Sequence, residues 1–157
     1  IVEPVVSSGG FLHGHTYASN PFSCAIANAV LNEVVENNLV ENARVVGDYL
    51  MKGLENLASQ LSIIGDVRGR GLLLAVEVVR DTTTKSMFNA DQRAIYRISE
   101  LGIKNGILLY TRKTSKGENG EWLMIAPPLI STTAHCDEFL SKLFETLKEF
   151  EKEQRIR

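Results

Sequence analysis

The sequence predicts an α+β domain: a small antiparallel sheet with helices on one face, preceded by a long helix. Three observations lead there. Apolar residues recur at helical spacing over two long stretches, 39–61 and 136–150. Short β-prone runs stand at 72–79, 107–111 and 122–126. The resulting order is loop, long helix, strand, helix, strand, strand, helix, which segregates the helices to one face of the sheet.

Residues 1–20 hold Ser7-Ser8-Gly9-Gly10 and Gly14 without either period and read as loop. Asn20-Pro21 is a helix start, with Asn as N-cap and Pro at the first helical position, where its missing N–H costs nothing. Small residues follow from Cys24 to Ala29, a composition that favours helix and lets another backbone approach closely. Leu39, Ala43, Val46, Leu50, Leu54, Leu57 and Leu61 then make one amphipathic stripe. The pattern predicts one long helix over about 21–59, bent near Asn37.

Gly65, Gly69 and Gly71 punctuate the next segment, and Leu72 to Val79 reads as a mostly buried strand. A polar turn, 81–85, precedes a helix over 90–105, with Ile95, Ile98 and Leu101 on one face and Gly106 ending it. Strands at 107–111 and 122–126 flank a polar loop, 113–120, whose Asn119-Gly120 pair suits a long hairpin. Pro127-Pro128 stops the second of them. Thr132 is placed to cap a last helix with the stripe Cys136, Phe139, Leu140, Leu143, Leu147 and Phe150, while the charged residues 149–157 are expected to fray.

Composition narrows the function. The 157 residues are 44% hydrophobic and 23% charged, values of a globular fold large enough for its own core. Seventeen Lys+Arg against nineteen Asp+Glu give a net charge of -2, so no nucleic-acid footprint and no attraction to anionic membranes is expected. The longest apolar run, Leu72 to Val76, is far too short to span a bilayer. Cys24 and Cys136 are distant in sequence and form no CxxC or CxxH grouping, so a reducing, cytoplasmic compartment is expected rather than a disulfide or metal framework. The chain opens without Met on Ile1-Val2-Glu3-Pro4, which suggests a piece of a longer protein.

Single residues add little by themselves. Gly65-x-x-x-Gly69-x-Gly71 precedes a strand instead of following one, so it reads as tight turns and not as a dinucleotide loop. His13 and His15 alternate in a loop, yet without a third ligand local hydrogen bonding is favoured over a metal. His135 reads as an ordinary exposed residue in the first turn of the last helix.

A longer phrase carries more. Residues 11–25, Phe-Leu-His-Gly-His-Thr-Tyr-Ala-Ser-Asn-Pro-Phe-Ser-Cys-Ala, resemble the HGxTYxxxPxxCA phrase of the class III pyridoxal-phosphate-dependent aminotransferases, the ω-aminotransferase group of the fold type I enzymes. Val67-Arg68-Gly69-Arg70-Gly71-Leu72 through Glu77 is similar to that family's strand entry. Gly106 to Tyr110 and Met124 to Ile130 look like its two late strands, and Asp137-Glu138 falls where its closing helix begins. The resemblance spans the whole chain.

It implies that residues 1–20 are the tail of a large cofactor domain, 21–59 a linking helix, and 60–157 a small C-terminal domain. It implies a homodimer with active sites at the subunit interface, acting on an amine or amino acid and a keto acid. Thr16 takes the place of the family threonine that donates its hydroxyl and backbone N–H to the cofactor phosphate of the neighbouring subunit, and Tyr17 is expected to pack at the interface. Two departures stand out. The lysine that forms the Schiff base lies before the HGxTY phrase in the family, whereas here no lysine precedes His13 and the first is Lys52, so no catalytic residue is expected in this chain. The family's carboxylate-binding arginine position is held by Tyr110, with Arg112 two residues on, either replacing it or standing as a solvated loop charge. Two alternatives remain: a related aminomutase or decarboxylase, and a free-standing, non-catalytic dimerisation or ligand-binding module.

Overall fold

The computed structural model of the protein describes residues 2–10, 13–114 and 120–155, and the chain divides after Asn37 into two compact units. The first unit holds α1 (Val2–Ser7) and α2 (Pro21–Glu36). α1 is a correction to the all-loop reading of 1–20; it is a short helix that buries none of its residues. α2 begins as its sequence dictates, with the Asn20 side-chain oxygen accepting from the backbone N–H groups of Phe22 and Ser23 at 3.1 and 3.2 Å. It too buries none of its residues, and Phe22, Ile26, Val30, Leu31 and Val35 are all exposed.

The expected single helix over 21–59 is in fact two. Asn38 adopts the left-handed conformation (φ 49°, ψ 41°), which asparagine tolerates better than most residues, and α3 (Leu39–Gln60) starts after it. The Asn37 amide folds back to donate to the Glu33 carboxylate at 2.7 Å and terminates α2.

The second unit adds β1 (Ile64–Arg70), β2 (Leu73–Val78), a 3₁₀ turn (Ala90–Gln92), α4 (Ala94–Lys104), β3 (Tyr110–Lys113), β4 (Glu121–Ile125) and α5 (Thr133–Arg155). The sheet has the order β1-β2-β4-β3, and every neighbouring pair is antiparallel. Its helix-facing side carries Leu74, Val76 and Val78 of β2 with Leu123 and Ile125 of β4. These join Val46, Leu50, Leu54 and Leu57 of α3, Ile95, Ile98 and Leu101 of α4, and Leu143, Leu147 and Phe150 of α5 in one core. All three helical stripes expected from the sequence are there.

β1 is a strand where the glycines at 65 and 69 predict turns. It pairs along β2 from Ile64↔Val78 to Arg70↔Leu73, so Gly71-Leu72 is a two-residue hairpin connection. Gly71 sits at φ +55°, a backbone conformation that glycine adopts freely. Helix α3 presses against this turn: a Cβ on Gly47 would lie 2.3 Å from the Gly71 carbonyl carbon and oxygen.

Helix ends follow local chemistry elsewhere. Gly106 (φ +78°) closes α4 while the Ile107 N–H donates to the Gly102 carbonyl at 2.8 Å, the six-to-one bond of a glycine-terminated helix. That commits the Ile107 amide, so the next strand starts at Tyr110 and not at 107. At α5 the Thr132 hydroxyl accepts from the His135 N–H at 3.4 Å, and His135 Nδ1 accepts from the Thr132 N–H at 3.2 Å. His135 therefore fills the capping-box role usually held by Glu or Gln, a function its exposure did not announce. The far end of α5 does not fray at 149. Phe150 is buried edge-on against Phe88, ring centroids 5.3 Å apart, and the Glu151 carboxylate accepts from the Ser62 N–H and hydroxyl at 2.7 and 2.5 Å. The expected hairpin loop has its middle, 115–119, outside the described residues, as are Phe11 and Leu12 of the long phrase.

Candidate functional site

The side of the sheet turned away from the helices carries its chemistry in two cross-strand rows. Following the ladders from β1 to β3, one row reads Asp66, Glu77, Trp122, Arg112 and the next Arg68, Ala75, Met124, Tyr110. Alternation along a strand forces this: residues two apart share a face, and direct cross-strand partners stand side by side. The opposite face of the same hairpin has Lys113 Nζ 2.7 Å from the buried Glu121 Oε1 and 5.2 Å from the Tyr96 ring centroid, fixing the register of β3 on β4.

Within the rows the charges are not equivalent. Arg68 is committed to two carboxylates, Asp66 at 2.7 Å and Glu77 at 3.0 Å. Arg112 forms no ion pair among the described residues. Its guanidinium carbon lies 4.7 Å from the Tyr110 ring centroid, and its Nη2 donates to the Tyr110 hydroxyl. Trp122 stands between Arg112 and Glu77 and donates its indole N–H to Thr114 Oγ1 at 3.2 Å. Arg112 thus belongs to strand β3, not to the loop where the sequence placed it, and it is exposed.

Thr16 lies in the first unit, in the turns that lead to α2, where Ala18 donates to the His15 carbonyl at 2.9 Å and Asn20 to the Tyr17 carbonyl at 3.1 Å. Its side chain is exposed, and neither its hydroxyl nor its backbone N–H has a hydrogen-bond partner among the described residues. A hydroxyl and an amide side by side, both uncommitted, suit the donor chemistry that a phosphate group needs. Tyr17 is exposed as well.

The other candidates fall away or change role. The His13 and His15 rings meet edge to face, 5.2 Å between centroids, and among the described residues no group of three or more His, Cys, Asp or Glu side chains is arranged to hold a metal. Both cysteines are free thiols; Cys24 is exposed, while burial, with a smaller contribution from Asp137, pushes the Cys136 thiol up and away from reactivity. Lys52, the first lysine, lies on α3 and is exposed. No helix among the described residues is long and apolar enough to cross a membrane.

What sequence reasoning missed is the company Arg112 keeps. The sequence alone shows Tyr110 as an occupant of the arginine's usual place and Trp122 as a strand residue. The signal was present in the i, i+2 spacing of Tyr110 and Arg112, which puts both on one face of a strand, but Trp122 needs the register of β3 on β4.

An α+β unit with this topology, a bare charged sheet face and an uncommitted donor loop ahead of it has known counterparts. The family model described as Aminotransferase class-III matches residues 1–147. An uncharacterized aminotransferase of Bacillus subtilis, YodT, is 37% identical over 155 residues, covering 97% of this chain and 35% of that protein. Among solved structures, a transaminase from the marine bacterium Virgibacillus superposes with a TM-score of 0.84 at 28% identity, covering 94% of this chain and 33% of that one. A PLP-bound amine transaminase from an uncultivated Pseudomonas species gives 0.77 at 30% identity, over 90% of this chain and 30% of that one. The chain belongs to the class-III aminotransferase family. It spans about a third of the length of the relatives it matches.

Proposed function

We propose that this chain is the C-terminal portion of a pyridoxal-phosphate-dependent aminotransferase that moves an amino group between an amine or amino acid and a keto acid. The observation that carries the reading is the Thr16 loop, whose hydroxyl and N–H stand exposed and uncommitted at the position of the family's phosphate-binding threonine. In that role both groups donate to phosphate oxygens, and the charge of the acceptor strengthens each bond. A short hydroxyl in a glycine-bearing loop loses little rotamer freedom on binding. Bound pyridoxal phosphate supplies the electron sink that stabilises negative charge at the substrate carbon.

Arg112 serves the substrate. A guanidinium with no ion pair among the described residues offers paired N–H donors to the carboxylate of an amino or keto acid, with Tyr110 in contact beside it. In the full-length enzyme Arg112→Ala should raise KM for amino and keto acids about 10–100-fold relative to amines without a carboxylate, the loss expected for a hydrogen-bonded charge pair. An equal change for both substrate types would show that Arg112 is a solvated charge. The exposed apolar residues of α2 are consistent with coverage by the large domain and a second copy in the complete homodimer.

The lysine that anchors the cofactor belongs, on this reading, to the part of the enzyme outside these residues. The decisive experiment treats this 157-residue chain and the full-length enzyme with pyridoxal phosphate and then borohydride. Intact mass should show one stoichiometric lysine modification in the full-length protein and none in this chain. A single modified lysine here, at Lys52 or elsewhere, would overturn the assignment.

A further inference from the structure

We infer that Tyr110 is a positioning residue for Arg112: it holds the guanidinium in a fixed pose on the open sheet face and so sets the enzyme's preference for substrates that carry a carboxylate. The inference rests on the proposal that Arg112 receives that carboxylate. It starts from the geometry of strand β3. Tyr110 and Arg112 are two residues apart and share the open face; the guanidinium lies over the phenol ring at 4.7 Å and donates Nη2 to the phenol oxygen.

An arginine carries five N–H donors on a long, mobile side chain, and a bidentate carboxylate contact needs two of them held in one plane. The ring contact and one hydrogen bond restrain the guanidinium's position and leave other donors for a ligand. No carboxylate among the described residues competes, because Glu77 in the same row is paired with Arg68. Trp122 is the direct cross-strand partner of Arg112 on the same face. The tyrosine at the usual arginine position is then not a loss of the clamp. It is the support for one moved two residues along the same face.

The test compares Tyr110→Phe, Tyr110→Leu and Arg112→Ala in the full-length enzyme, each with an amino acid, a keto acid and an amine lacking a carboxylate. Tyr110→Phe removes the acceptor and keeps the ring; it should raise KM for the acids about 3–10-fold relative to the amine, less than loss of the arginine itself because the bond acts on the substrate only through Arg112, with kcat at saturating acid within about two-fold. Tyr110→Leu removes both supports and should approach Arg112→Ala. Thermal unfolding separates selectivity from stability, since Tyr110 is exposed and neither change should move Tm by more than a few degrees. Selective loss in Arg112→Ala with no change in either Tyr110 variant would overturn the inference and leave the carboxylate reading standing. Equal losses for acids and amine in the Tyr110 variants would overturn it as well. An unselective Arg112→Ala removes both.

Discussion

Gly47→Ala should destabilise the helix–sheet unit by about 3 kcal/mol, the upper range for a group forced into filled space. The added methyl carbon would sit 2.3 Å from the carbonyl carbon and oxygen of Gly71, which are backbone atoms of the β1–β2 turn and not the movable end of a side chain. Relief requires α3 to back away from the sheet. Val46 and Leu50 flank Gly47 and are buried in the core, so the same movement opens their packing. For a unit of this size the loss corresponds to a fall in Tm of roughly 10–20 °C. Circular dichroism melts would read it, with Gly14→Ala as control, because a Cβ there meets nothing within 4 Å. A Gly47→Ala protein that melts with the parent would show that helix and turn are not in contact.

Thr16→Ala in the full-length enzyme should weaken pyridoxal phosphate binding by about 1–3 kcal/mol, or roughly 5–150-fold in Kd, the range for a lost hydrogen bond to a charged acceptor. Thr16→Ser should keep most of the affinity, since it keeps the hydroxyl. Titration of the apoenzyme, followed by cofactor absorbance, measures both. Pyridoxal without its phosphate supplies the control: its binding should be insensitive to Thr16, because the group that Thr16 contacts is missing. Unchanged affinity for the phosphate form would take Thr16 out of the site.

Much of the fold was legible because its elements are decided locally. Asn20-Pro21, Gly106 and Thr132 act through neighbours within a few residues, and the apolar stripes of α3, α4 and α5 are wide enough to survive any packing detail. The misreadings share a cause. β1 turns Asp66, Arg68 and Arg70 to the open face and has glycine at 65 and 69, so little of a strand's usual composition remains, and its identity comes from pairing with β2. The break at Asn38 is a left-handed backbone that an unbroken helical period does not reveal. The apolar run 107–109 looks like strand, but the end of α4 takes its first amide. For the site, the chemistry of Thr16 and Arg112 was visible as residue types. Their surroundings were not, because Trp122 is set across from Arg112 only by strand register and the group that Thr16 would hold is not a residue at all.

The strand order also sets which pairings of this unit are local and which close a long loop. β1 and β2 meet across Gly71-Leu72 and close as a local hairpin. The central ladder instead joins Val78 to Glu121, and the long stretch of chain between them must close as a loop before its hydrogen bonds form. α5 supplies Leu143, Leu147 and Phe150 to the core and follows the sheet in chain order. α3 precedes the hairpin in the chain and packs on it, so its apolar side, Leu74, Val76 and Val78, has a partner before residues 133–155 are reached. β3 is held to the sheet only through β4, so the edge that carries Arg112 joins β1 and β2 only when that long loop has closed.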